Sequence, residues 1–296
     1  MMAGDIMKTN AKNGTIRIGD SLMHYVSFGI GTKCMVLLPG LSDGLATVKG
    51  KALLLAGPYR MFFKEYTVYM FSRKDPLSDK SSIKDMADDQ AEAFRQLGLG
   101  KVCLVGVSEG GMIAQALAVR HPDLVEKLVI AVSAPAVNDL IRENIKAWTA
   151  YASAGDHKGL MVDTAEKSYS ESYLKKYRKM YPLLGFVGKP RNYNRFLVNA
   201  RAILGFDLRE ELKKINCPAL IIGGEDDKIV GVEASYDLQN AIPGSRLYIY
   251  SGLGHAAYEE AKDFNERIFC FFEGKDEGIA YTDPNHADIS DKVQKG

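Results

Sequence analysis

Gly106-Val107-Ser108-Glu109-Gly110 stands between a purely apolar run, Val102-Cys103-Leu104-Val105, and a helix-like stretch from Met112 to Arg120. A chain that leaves a buried strand and enters a helix within five residues must turn sharply. Bulky side chains flanking such a turn collide, which accounts for glycine at 106 and 110. The order of strand, G-x-S-x-G and helix therefore predicts an elbow with Ser108 at its tip. There the hydroxyl clears the sheet and faces the free N–H groups and positive dipole end of a helix, where negative charge can develop. The pentapeptide alone recurs by chance, so the flanking strand and helix carry the weight.

The rest of the chain repeats the alternation that the elbow begins. Strand-like stretches occur at Thr15–Ile18, Leu22–Phe28, Cys34–Leu38, Tyr66–Phe71, Leu128–Val132, Ala219–Ile222 and Leu247–Tyr250. Helical spacing runs from Ile83 to Leu97, with apolar positions at 83, 86, 87, 91, 94 and 97. Val232 to Ala241 and Ala256 to Phe272 read as further helices, the latter as one long final helix. Such alternation predicts an α/β fold, a mostly parallel central sheet flanked by helices. Between Ala136 and Phe206 the alternation stops and the sequence is helix-rich without a strand. We expect residues 136–206 to be an inserted helical cap on a core of 14–135 and 207–274, with polar termini at 1–13 and 275–296.

Composition narrows the function classes. The 296 residues are 46% hydrophobic and 25% charged with a net charge of +1, as for one large globular domain. That balance gives no reason to expect nucleic acid or an anionic membrane as partner. No apolar run approaches the roughly 18 residues of a membrane span. The first fourteen residues lack the apolar centre of a secretory signal. Cys34, Cys103, Cys217 and Cys270 are scattered singly, as expected for free thiols in a reducing compartment, so a cytoplasmic location is expected. No metal or dinucleotide motif is present, and we expect no cofactor.

A serine hydroxyl needs a base to take its proton, and the base works best when a carboxylate holds its tautomer. Both partners follow later strands. Gly223-Gly224-Glu225-Asp226-Asp227 comes after Ala219–Ile222, and Gly252-Leu253-Gly254-His255 after Leu247–Tyr250. Loops at the carboxyl ends of parallel strands converge on one sheet edge, so these distant residues can meet. Asp226 competes with Asp227 as the acid. His24, His121, His157 and His286 do not follow a late strand and read as structural.

With serine, acid and histidine in this order, the chain resembles an α/β-hydrolase with a helical cap, from about Gly14 to Phe272. The resemblance implies Ser108 as nucleophile. Its acid loop, glycine, two variable residues, then aspartate, falls on Gly224-Glu225-Asp226-Asp227 and selects Asp227. Its glycine-histidine before the last helix falls on Gly254-His255. It further implies an oxyanion hole from the backbone N–H groups of Leu41 and Glu109. Two places depart from the family pattern: Pro39-Gly40 where many members have histidine-glycine, and Ser72-Arg73-Lys74-Asp75-Pro76 where an arginine followed by glycines is usual. No role is carried over to the second.

A serine rather than an aspartate at the elbow favours acyl transfer to a small-molecule substrate: ester, thioester, lactone or activated amide. Hydrolysis of a carbon–carbon bond or lactone by the same triad is the alternative enzyme, and a ligand receptor with an idle triad the alternative class. The side chain of Glu109, in the first helical turn, reads as a dipole partner. Tyr169, Tyr173, Tyr177 and Tyr181 recur every four residues, which on one helix forms an aromatic stripe. We expect it to pack cap against core, with Lys175, Lys176, Arg178 and Lys179 on the solvated face.

Overall fold

Residues 9–275 are described by a computed structural model. Eight strands form one sheet in the order β1-β2-β4-β3-β5-β6-β7-β8. They are β1 Lys12–Ile18, β2 Ser21–Phe28, β3 Lys33–Leu38, β4 Tyr66–Phe71, β5 Val102–Val107, β6 Val125–Ala131, β7 Ala219–Gly224 and β8 Arg246–Tyr250. β2 pairs antiparallel with β1 and β4, and every other pairing is parallel. The expected mostly parallel sheet is therefore present, and β1 starts at Lys12 rather than at Thr15. The expectations for polar tails at 1–8 and 276–296, and for His286, lie outside the described residues.

The central strands read as continuous apolar runs because both of their faces are covered. Val36 and Leu38 of β3 join a core with Ile83, Met86 and Phe94 of helix α2 (Ile83–Gln96) and Ile113 and Leu117 of helix α3 (Glu109–Arg120). Met35 and Leu37 face the other way, toward Phe62, Phe264, Ile268 and Phe272. A short helix, α1 (Ala52–Ala56), also lies on that second side. Helix α2 starts with a capping box, the Ser82 hydroxyl accepting from Asp85 N–H while Asp85 accepts from Ser82 N–H.

Between β6 and β7 lie α4 (Asp139–Ser153), α5 (His157–Ser168), α6 (Glu171–Tyr177), α7 (Tyr181–Leu184) and α8 (Asn194–Leu204). The chain enters and leaves this insertion side by side. Ala136 and Asp207 form an antiparallel bridge, Val137 N–H donates to Phe206 O (3.1 Å) and Leu208 N–H to Pro135 O (2.9 Å). Among the described residues no helix is long and apolar enough to cross a membrane, and all four cysteines are free.

Two helix expectations need correction. The long final helix is two, α10 (Ala257–Glu260) and α11 (Phe264–Glu273), after α9 (Glu233–Ala241) and β8. Ala261 is extended (φ −75°, ψ 119°), and the Asp263 carboxylate accepts from Tyr250 hydroxyl (3.0 Å) and Arg267 Nε (2.8 Å). That tertiary anchor outweighs continuation of the helix. The four tyrosines do not share one helix either. Ser170 caps α6 through Tyr173 N–H and is itself held by Glu260, so the chain breaks between Tyr169 and Tyr173. Three rings stack nonetheless, with centroids 4.5 Å (169–173) and 4.3 Å (173–177) apart. Tyr169 hydroxyl donates to Glu259 on α10 (2.5 Å), which ties the insertion to the core.

Candidate active site

The elbow places Ser108 between β5 and α3 with φ 55° and ψ −119°. Positive φ at a non-glycine residue costs about 1–3 kcal/mol and persists only where the surroundings hold it. Here Ser108 N–H donates to Ala131 O (2.9 Å), and its carbonyl accepts from Gly111 N–H (2.8 Å) and Ser133 hydroxyl (2.8 Å). The flanking glycines are needed for closeness. A Cβ at Gly106 would lie 2.7 Å from Ala114 Cβ, and one at Gly110 would lie 2.6 Å from Pro39 O.

β7 and β8 run parallel to β5, so their following loops reach the same edge. His255 Nε2 lies 2.9 Å from Ser108 Oγ, and His255 Nδ1 lies 2.8 Å from Asp227 Oδ2. A carboxylate at Nδ1 requires the proton there, which leaves the Nε2 lone pair for the serine hydroxyl. The second Asp227 oxygen accepts from the N–H groups of Ile229 (2.8 Å) and Val230 (3.0 Å). Burial pushes the Asp227 pKa up, but His255 and those two N–H donors outweigh it and hold the carboxyl below its ordinary value. Both oxygens are thus committed, and the acid cannot rotate away from the imidazole. Asp226 is exposed, and its backbone N–H, donating to Leu253 O (2.9 Å), ties the loop.

The other histidines sit elsewhere. His24 pairs with Thr15 Oγ1 (2.8 Å), His121 with Asp88 (2.7 Å), and His157 with Val187 O (2.8 Å). Among the described residues no cluster of three or more His, Cys, Asp or Glu is placed to hold a metal ion.

Leu41 opens a 3-10 turn (Leu41–Gly44) and Glu109 opens α3. The first N–H of a helix has no intrahelical acceptor, so both point outward unpaired by their own elements. Gly40 brings the first turn onto Ser108: a Cβ there would lie 3.2 Å from Ser108 Cβ.

The side chain of Glu109 sits in the first turn of α3, where a dipole partner is expected, and borders the cavity over Ser108. It is buried, with Arg73 Nη2 3.0 Å from its Oε2. Burial raises its pKa, against the pull of Arg73. Arg73 is also buried, its N–H donates to Asp43 Oδ2 (3.0 Å), and its Nη1 lies 3.7 Å from that oxygen. Arg195, from α8 of the insertion, closes the group. It donates to Asp43 Oδ2 (2.5 Å), to Arg73 O (2.9 Å) and to the Asp43 carbonyl. Two acids and two arginines therefore join the Leu41 turn, the start of α3 and the insertion. Sequence reasoning missed Asp43, Arg73 and Arg195. The one available signal was the unusual Ser72-Arg73 after β4; nothing in the local sequence singles out Arg195.

Above Ser108 the space is narrow. A cavity of about 20 Å³, room for one water, is lined by Ser108, Leu41, Glu109 and Met112 of the core and by Ile141, Ile145, Trp148 and Ile203 of the insertion. Its other lining residues, Asn144, Ile229 and Val230, add no lysine or arginine.

The chain has relatives among known proteins. A family model described as "alpha/beta hydrolase fold" matches residues 62–262. The chain is 28% identical over 274 residues to 2-hydroxy-6-oxononadienedioate/2-hydroxy-6-oxononatrienedioate hydrolase 2 of Pseudomonas putida, covering 86% of this chain and 92% of that protein. It is 25% identical over 280 residues to the putative carbamate hydrolase RutD of a Caulobacter species, covering 89% and 99%. In structure it is similar to the enol-lactonase from Burkholderia xenovorans LB400, with a TM-score of 0.75 at 19% identity over 88% of this chain and all of that one.

Proposed function

This chain belongs to the alpha/beta hydrolase fold family, matched over residues 62–262, and on that premise we propose that it is a serine hydrolase cleaving an ester or related acyl bond of a small molecule. The observation that carries the reading is the chain of contacts Ser108 Oγ, His255 Nε2, His255 Nδ1, Asp227 Oδ2, at 2.9 and 2.8 Å. Ser108 Oγ attacks the carbonyl carbon while its proton passes to His255 Nε2. Asp227 stabilises the resulting imidazolium. The carbonyl oxygen takes the negative charge and is received by the N–H groups of Leu41 and Glu109. As the acyl–oxygen bond breaks, His255 returns the proton to the leaving alcohol. Water then attacks the acyl carbon as His255 Nε2 takes its proton, and return of that proton to Ser108 Oγ as the acyl–serine bond breaks releases the acid.

Residues 136–206 act in this reading as a cap. Their apolar side chains fill the space over Ser108, so a substrate enters only when the cap lifts. The apolar lining favours an uncharged acyl group. A dioate such as the Pseudomonas relative's name specifies would bring charge into a cavity lined by no cation, which is costly. Carbon–carbon bond or lactone hydrolysis remains the second reading, favoured by the names of that relative and of the structural neighbour.

A substrate panel separates them. We expect turnover of p-nitrophenyl acetate and no cleavage of a 2-hydroxy-6-oxo dioate; the reverse preference overturns the ester reading. Trp148→Leu should widen the acyl pocket. Its kcat/KM for a butyrate ester, relative to acetate, should rise about tenfold, since one methylene in such a pocket is worth about 1–3 kcal/mol. An unchanged ratio would remove Trp148 from the acyl site.

Arg195 grips the turn that presents Leu41 N–H, which couples cap seating to the oxyanion donors. Arg195→Met should lower kcat about tenfold or more with little change in KM, short of the 10²–10³ of a donor removed outright. Arg195→Lys should recover only part of it, because an ammonium cannot span the carboxylate and two carbonyls together. A change confined to KM would assign Arg195 to substrate binding instead.

A further inference from the structure

Residues 172–206 contain eight lysines and arginines and no aspartate or glutamate, although the whole chain is nearly neutral at +1. The rest of the chain is therefore net acidic, and this end of the insertion is the basic pole. Three of the eight are engaged locally. Arg178 pairs with Glu166 and Glu171, Arg195 with Asp43, and Arg201 donates to Asp79 O (3.0 Å). Lys175, Lys176, Lys179, Lys189 and Arg191 are exposed and form no ion pair among the described residues.

Apolar side chains lie among them. Met180, Leu183, Phe186 and Val187 are 51%, 56%, 81% and 57% exposed, within eight consecutive residues around α7. Scattered exposed apolar residues need no explanation, but four in one short segment flanked in sequence by exposed basic residues do. A soluble polyanion would satisfy the lysines and leave the phenylalanine in water. A second copy of this chain would bring its own basic residues against these. An anionic lipid surface meets both needs, with headgroup phosphates for the cations and the headgroup–acyl boundary for the apolar side chains.

We propose that the α6–α7 end of the insertion docks on anionic lipid surfaces, with Lys175, Lys176, Lys179, Lys189 and Arg191 against headgroups and Leu183 and Phe186 inserted. The net charge of +1 argued against an anionic membrane partner; that average conceals the segregation of charge along the chain. Docking is peripheral and does not depend on the reaction proposed above.

Co-sedimentation of the full chain with vesicles tests it. Binding is expected to phosphatidylcholine vesicles containing phosphatidylglycerol and not to phosphatidylcholine alone. It should be released near 1 M salt, where the screening length falls to about 3 Å. Lys175→Glu with Lys179→Glu should weaken binding at least about 25-fold, given about fivefold per basic residue. Leu183→Ser with Phe186→Ser should weaken it about tenfold or more. Both variants should melt close to the parent, which shows that they fold. Failure to bind the anionic vesicles overturns the proposal. So does equal binding to neutral vesicles, binding that the serine pair leaves intact, or a dimer that the serine pair dissolves.

Discussion

Treatment with a fluorophosphonate is expected to place one phosphonyl group on Ser108 and to stop ester turnover. The reagent needs a serine whose proton can be taken and whose oxyanion can be received, and among the described residues no other serine has a histidine nitrogen within 2.9 Å and unpaired helix-start N–H groups beside it. Ser108→Ala should abolish labelling and lower kcat by about 10⁶, the scale seen when a triad nucleophile is removed. His255→Ala should slow labelling comparably, since the hydroxyl then keeps its proton. Because alanine at 108 inherits the same positive φ, the variant should melt close to the parent. Labelling at another serine, or turnover undiminished in folded Ser108→Ala, would overturn the mechanism. A folded parent that resists the reagent and hydrolyses nothing would point to a receptor.

The second large effect concerns the acid. Asp227→Asn should lower kcat about 10⁴-fold, because the amide can present its N–H to Nδ1 and stabilise the wrong tautomer. Its cause is local: Ile229 and Val230 N–H groups hold Oδ1, so the amide oxygen is drawn there and the NH₂ turns to the imidazole. Asp226→Asn should change turnover less than a few-fold, since that exposed side chain makes no contact with His255. Interchanged effects would move the acid by one residue.

Much of this site is legible in sequence because short-range constraints impose it. Gly106 and Gly110 are dictated by contacts a few ångströms away, and β5 and α3 flank them in the chain. The central strands β3, β5 and β7 are equally visible, since burial on both faces leaves little choice but aliphatic residues. The breaks at Ser170 and Ala261 are invisible for the opposite reason. Glu260 and Tyr250 enforce them across the fold, and local periodicity continues through both. The Asp43–Arg73–Glu109–Arg195 group is likewise assembled from four separate elements, and no window of sequence contains more than one of its members. Charge segregation in residues 172–206 was readable but was averaged away.

The crossing at Pro135 and Leu208 has a consequence for the history of such chains. The two strands of backbone that carry residues 136–207 leave and return within one hydrogen bond, 2.9 Å, so the core meets this long excursion as it would a tight turn. Closing a loop grows costlier only with the logarithm of its length, about 0.6 kcal/mol per doubling. An insertion anchored in this way can lengthen, shrink or be traded for another with little disturbance to the β6–β7 junction. On the reading proposed above, selectivity and chemistry would then be separable: one piece of gene could be rewritten while Ser108, Asp227 and His255 stay in place.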